Sequence, residues 1–424
     1  MLWSGHHPKW LGECGLSAIE RAGTFASHTV YGALALALPA FIVFGRGALG
    51  VALGIAVLAL IAATAFGVRW NLWDTSLRRV LAILAVLTLA WLPAVAGSLL
   101  PDQSALTLLR TVAMIAGGAV LVIFAEQDDR DWALRVFIAG MLAAQLFAVV
   151  ALYVSPEVAF FRARNGTVVP YYALKGSASS IACALPVLIY AGWRLRDLWA
   201  WGAALCLPLG FAVMYGTSSR SSLAGMIAAI AFCGIISATR RRPLAHLLIA
   251  LVLAGAVAGA GVTTALRGTP HLSRGGYDLF APIWLVDQHR QVIWQFTLER
   301  FQERPWFGWG PNAIVAAPGA SDMIPELNGE FIPAHPHNWV IESLSETGTA
   351  GFLPLFAIIV GVAAAAAHAY RRSGSPATLA WLALWLTYWS AGAFNFSMWN
   401  ATWQSSGLVL AALVCSRQRS RATP

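Results

Sequence analysis

Residues 105–125 read ALTLLRTVAMIAGGAVLVIFA, a run with a single charged residue, Arg110, and no proline. A helix of that length rises about 30 Å, the depth of a bilayer's hydrocarbon core, and satisfies its own backbone hydrogen bonds there. Comparable runs recur at 29–45, 48–66, 80–99, 132–154, 176–192, 197–215, 221–238, 244–265, 345–369, 377–394 and 401–416. The pattern predicts an all-α polytopic integral membrane protein with about 12 transmembrane helices. Composition agrees. Of 424 residues, 58% are hydrophobic and 11% charged, against roughly 25% charged in soluble domains. So few charges cannot cover the surface of a soluble enzyme of this size, and the apolar excess excludes a disordered chain, a disulfide scaffold and a nucleic-acid-binding domain. The net charge of +9 comes from cations at helix ends.

Those cations orient the chain. With the N-terminus inside, the cytoplasmic segments hold Lys9, Arg21, Arg69, Arg78, Arg79, Arg130, Arg194, Arg196, Arg240–Arg242, Arg371, Arg372, Arg417, Arg419 and Arg421. That bias is the positive-inside rule, and it puts both termini in the cytoplasm. The segment before the first span is polar and is not expected to be a cleavable signal. Cys183, Cys206 and Cys233 lie in apolar runs and are expected to be small buried hydrophobes rather than disulfide partners.

The organisation follows. Residues 1–265 form a membrane domain of nine helices, 266–337 a long outer loop, and 338–424 a membrane domain of three. Within the loop, Arg290, Ile293, Trp294, Thr297, Leu298 and Phe301 share one face at helical spacing, with Asp287 as N-cap and Pro305 as a stop. Trp284, Trp294, Trp306, Phe307 and Trp309 suggest that the loop rests at headgroup depth.

Cations on the outer side are exceptions to the rule, and they cluster. Arg162, Arg164 and Lys175 lie in the loop between the fifth and sixth spans, Arg220 ends the hydroxyl-rich turn Thr217-Ser218-Ser219, and Arg110 lies near the outer end of the fourth span. Together they describe an outward-facing anion site, and the arginine fork suits phosphate. Lipid-phosphate snorkelling is the plainer role for any one of them. A second cluster, Pro333-Ala334-His335-Pro336-His337-Asn338-Trp339, marks the return of the loop to the membrane, with Glu342 and Glu346 following on one helical face. Two His in X-Pro-X spacing without an evident third ligand make a poor zinc site. A single neutral imidazole serves as a general base.

Three groups of residues resemble the O-antigen ligase family: Thr217-Ser218-Ser219-Arg220; Arg290 with Trp294 and Pro305-Trp306-Phe307-Gly308-Trp309-Gly310; and His337-Asn338 with Glu342 and Gly348. The family belongs to a wider group with O-antigen polymerases and pilin oligosaccharyltransferases. The resemblance implies an inverting, metal-independent glycosyltransferase without cofactor in the bacterial inner membrane, with a periplasmic active site. It would move the O-antigen glycan from undecaprenyl diphosphate to lipid A–core, completing lipopolysaccharide. His337 would be the general base. Arg220 and Arg290 would hold the diphosphate, with Arg162, Arg164, Lys175 and Arg110 as further substrate-binding cations. Asn338 and Glu342 would orient His337 or the acceptor, or serve only to start the helix. Partners would be donor, acceptor and membrane lipids, with no nucleic acid. A polymerase or protein O-oligosaccharyltransferase of the same group would use similar residues. A lipid-linked glycan transporter fits less well, because the sequence has no internal repeat and little charge near the midplanes.

Overall fold

The computed structural model describes residues 18–70, 75–126, 131–162, 169–238, 286–324, 327 and 329–415. Among them are twelve α-helices: α1 (Ala18–Phe44), α2 (Arg46–Ala65), α3 (Thr75–Ala96), α4 (Pro101–Glu126), α5 (Asp131–Tyr153), α6 (Pro170–Leu195), α7 (Leu198–Gly216), α8 (Arg220–Ala238), α9 (Gln288–Glu303), α10 (Trp339–Ser373), α11 (Pro376–Gly392) and α12 (Ala401–Val414). A 3₁₀ turn covers Pro156–Arg162, and a short antiparallel pair joins Met323–Ile324 to Gly329–Glu330. Nine of the described helices, α1–α8 and α10, are long and apolar enough to cross a membrane; α11 and α12 are shorter. The predicted span 244–265 lies outside the described residues.

The helices bury one face and leave another apolar face outward, as lipid requires. In α2, Leu49, Ala56 and Leu60 are buried against α1, while Val51, Leu58 and Ile61 are exposed. The bundle core is built around α6, which packs on α7, α11 and α12; α4 packs on α3 and α12, and α10 on α3 and α11. Cys183, Cys206 and Cys233 are buried free thiols, in keeping with their apolar runs.

Segments expected on one side of the membrane meet at one end of the bundle. Ser104 Oγ donates to Pro311 O (2.8 Å), Gln103 Nε2 to Asn312 O (2.8 Å) and Arg304 Nη1 to Gly97 O (3.0 Å). At the other end Arg194 Nε meets Asp131 Oδ1 at 2.6 Å.

The loop helix α9 forms where the spacing places it. Asp287 Oδ1 accepts from Arg290 N (3.0 Å), and the helix stops just before Pro305. Its buried face carries Gln291, Ile293, Trp294 and Thr297, but Leu298 is exposed. The loop aromatics differ in exposure. Trp306 and Phe307 are exposed, whereas Trp294 and Trp309 are buried, each with its indole N–H on a carbonyl, of Pro336 (2.9 Å) and Arg300 (2.7 Å). A buried indole needs such a partner. Trp284 lies outside the described residues.

The predicted span at 345–369 starts earlier, at Trp339, because Asn338 caps it: its Oδ1 accepts from Val340 N (3.0 Å) and Ile341 N (3.3 Å). This helix is broken at Gly348, whose φ is +63°. The segment 305–310 enters the break. Trp309 N and Gly310 N donate to Ser345 O (2.9 Å) and Glu346 O (2.8 Å), and Thr349 N and Ala350 N donate to Pro305 O (2.8 Å) and Trp306 O (3.1 Å). A Cβ on Gly348 would sit 2.2 Å from the Trp306 carbonyl. Gly348→Ala is therefore expected to cost on the order of 3 kcal/mol or more, from the left-handed backbone plus a backbone clash. Thermal unfolding in detergent will measure it against Gly361→Ala in the same helix, where a Cβ meets nothing within 4 Å.

Candidate active site

The turn between α11 and α12, Ala393–Asn400, organises the site. Arg290 Nη1 donates to Phe394 O (2.6 Å) and Nη2 to Asn395 Oδ1 (3.1 Å), while Nε pairs with Asp287 Oδ2 at 3.2 Å. Burial lowers the Arg290 pKa from its ordinary value; Asp287 opposes this, and the charge of nearby Arg220 adds to it. His337 Nδ1 lies 3.2 Å from the backbone carbonyl of the same Asn395. A carbonyl only accepts, so Nδ1 carries the proton and the Nε2 lone pair stays open. Asn395 thus joins the imidazole to the guanidinium.

The two His stand side by side. His337 adopts φ +58°, its backbone N–H donates to His335 Nδ1 (3.0 Å), and the ring centroids are 4.1 Å apart. The chain turns left-handed at His337, and Trp294 holds it through Pro336. A non-glycine residue in this region is strained, and such strain gathers at functional sites. Both imidazoles are half-buried and neutral. Burial pulls His337 down to about 4, with Arg290 adding to the effect and the Asn395 carbonyl opposing it. Burial pulls His335 down to about 3, with His337, Arg290 and Arg46 adding to it.

Arg220 begins α8 after a turn with Ser218 at φ +47°, which buried hydroxyls brace: Ser179 Oγ and Ser222 Oγ lie 2.9 Å apart, and Thr217 Oγ1 donates to Val213 O (2.7 Å). Its charge reaches Arg290, as does Tyr171. Lys175 sits over the Tyr171 ring, 5.2 Å from its centroid, which brings α6 to the same end. Arg110 Nη2 donates to Trp399 O (2.8 Å) at the far end of the α11–α12 turn. Arg162 closes the 3₁₀ turn, and Arg164 lies outside the described residues.

Of the two roles open to Asn338 and Glu342, the contacts are those of helix and loop architecture. Asn338 is the cap already described. Glu342 is fully buried, and its Oε2 accepts from Met398 N (2.7 Å). Glu346, one turn on, accepts from Asn312 N (2.7 Å), Ile314 N (3.3 Å) and the Trp399 indole. The two carboxylates tie the 312–314 and 398–399 segments to α10. Sequence reasoning missed Asn395 and Phe394 because much of their contribution is a backbone carbonyl, which every residue has. The one signal was a polar stretch, Asn395 to Asn400, breaking two apolar runs.

The segment carrying Arg220, Arg290, His337 and Gly348 is similar to a known family. Residues 203–356 match the O-antigen ligase family. A protein named "Putative polysaccharide ligase" from Rickettsia conorii is 25% identical over 130 residues, and one of the same name from Rickettsia felis is 28% identical over 130 residues. Each alignment covers 30% of this chain and 31% of the relative, so the match spans about a third of the curated relatives' length. The matched segment runs from α7 into α10 and stops short of the Asn395 turn.

The depressed imidazoles make stability pH-dependent. Unfolded, both His take a proton near pH 6.5; folded, they resist until about 4 and about 3. The unfolded chain binds more protons between those values, so stability falls as pH drops from about 6.5 towards 4. The melting temperature in detergent is expected to follow that slope, and His335→Gln/His337→Asn to flatten it. Asn is chosen because it tolerates positive φ.

Proposed function

We propose that this chain is an O-antigen ligase acting on the periplasmic face of the bacterial inner membrane. It transfers the glycan from undecaprenyl diphosphate to a sugar hydroxyl of lipid A–core. The observation that carries this reading is the shared Asn395, which holds an imidazole with an open Nε2 beside a guanidinium that faces a second arginine. That pairing suits displacement of a diphosphate by a hydroxyl.

In the proposed step the acceptor oxygen attacks the anomeric carbon, its proton passes to His337 Nε2, and the bond from that carbon to the diphosphate oxygen breaks. Direct displacement inverts the anomeric centre. Arg220 and Arg290, with Lys175 nearby, take the negative charge of the departing undecaprenyl diphosphate; such preorganised donors are typically worth about 10²–10³ in rate. Burial, and after it the charge of Arg290, depress the His337 imidazole. A bound diphosphate offsets that positive field, so His337 becomes a better base when donor is present. The lipid-linked substrates reach this level sideways from the bilayer, which fits a site at helix ends.

Transfer by purified protein tests the roles. His337→Asn is expected to lower turnover by about a hundredfold or more while donor still binds, since a positioned base is worth about 10²–10⁴. Arg220→Ala and Arg290→Ala are expected to weaken both donor retention and turnover. Lysine at either position is expected to restore them in part, because an ammonium lacks the two-pronged contact. Near-normal transfer by folded His337→Asn would remove it from the base role. In cells, the unaltered gene is expected to restore polymer-capped lipopolysaccharide to a ligase-null strain; failure to do so would favour a polymerase. Turnover is further expected to survive EDTA, and its loss with recovery on added zinc or magnesium would defeat the metal-independent reading.

A further inference from the structure

Two cationic sites flank the α11–α12 turn. Arg290 grips its start, at Phe394 and Asn395, and Arg110 grips its end, at Trp399. Beside Arg110 lies a cavity of about 270 Å³. Its polar walls are Arg110 from α4, Asn312, His335, Ser397, Asn400 and Thr402. Neither Arg220 nor Arg290 lines it, and none of its lining residues is a carboxylate.

The chemistry of these walls is one-sided. Arginine carries five N–H donors, and the Trp399 carbonyl occupies one of those of Arg110. His335 Nδ1 accepts from His337 N, so in the neutral ring the proton is on Nε2, which makes it a donor. Ser397 and Thr402 add hydroxyls, and Asn400 an amide whose oxygen is committed to Trp403 N (3.0 Å). One cation and several neutral donors, without a carboxylate, select an anion set among hydroxyls. The volume equals about nine waters of liquid, room for a sugar ring with a charged substituent.

Position supplies the second argument. The cavity reaches His335, whose ring touches that of His337. In a displacement with inversion the attacking hydroxyl and the leaving diphosphate stand on opposite sides of the anomeric carbon. The base belongs with the former and the phosphate-binding arginines with the latter. A second anion-selective pocket, beside the base and separate from Arg220 and Arg290, is what an acceptor bearing its own charge requires.

We propose that this cavity is the acceptor subsite, and that Arg110 recognises a phosphate or carboxylate substituent on the acceptor sugar next to the reacting hydroxyl. The proposal rests on the glycosyl-transfer reading above.

The test uses full-length protein in nanodiscs with lipid-linked donor and two acceptors: lipid A–core with its anionic substituents intact, and the same lipid with core phosphates removed by phosphatase or core carboxylates reduced. On intact acceptor, Arg110→Gln is expected to raise the acceptor KM about tenfold or more, the equivalent of one charge-assisted hydrogen bond, with the donor KM unchanged. On the acceptor lacking the recognised anion, Arg110→Gln and unaltered protein are expected to match. The chemical treatment that erases the difference identifies the anion as phosphate or carboxylate. Thr402→Val is expected to raise the acceptor KM in the same sense, which keeps the proposal testable should Arg110→Gln fold poorly. A raised donor KM, or an Arg110 effect that persists in full on both stripped acceptors, overturns the proposal. Absence of transfer by unaltered protein defeats the glycosyl-transfer reading itself, and the subsite with it.

Discussion

The site depends on a helix that is broken inside a membrane protein. At Gly348 the ladder of α10 opens, and lipid offers no partner for the groups released. The 305–310 segment supplies them, giving two N–H groups to Ser345 O and Glu346 O and taking two from Thr349 and Ala350. One exchange of hydrogen bonds fixes the 305–310 segment to the membrane bundle and sets the position of α9, hence of Arg290. Only glycine permits it: the backbone there is left-handed and the Trp306 carbonyl occupies the space a side chain would take.

The second constraint is the cost of burying polar groups. Glu342 and Glu346 are buried in α10, and carboxylates in such a place need hydrogen bonds. They find them in the Met398 amide, the Trp399 indole and the 312–314 amides. That network steadies the α11–α12 turn from beneath, while Arg290 and Arg110 hold its two ends from above. A short connection without a charged side chain becomes the organising element, because its carbonyls and one asparagine are held where they can orient an imidazole and two guanidinium groups.

Neutrality of the imidazoles follows from the same packing. His335 and His337 share a crowded, partly desolvated corner under the field of Arg290, and both are pushed well below the ordinary histidine range. An imidazole in that state stays neutral at neutral pH. An anion beside Arg290 would offset part of that field and raise the affinity of His337 for a proton.

Much was decided by the sequence alone, because a bilayer imposes a local rule. Each spanning helix must be about 20 apolar residues long wherever it packs, so the spans among the described residues could be read from hydropathy, and α9 from its period, its Asp287 cap and Pro305. The outer cations and His337 stood out because charge at a membrane edge is costly. What the tertiary structure decided is non-local. Arg290 meets Phe394 across 104 positions and His337 meets Asn395 across 58. The partners are carbonyls that no side-chain pattern marks. The left-handed turn at His337, which sets the two rings together, and the burial of Trp294 and Trp309 also depended on which segments lay alongside. Hydropathy places a residue at a depth in the membrane, but only packing decides which hydrogen-bond partner waits for it there.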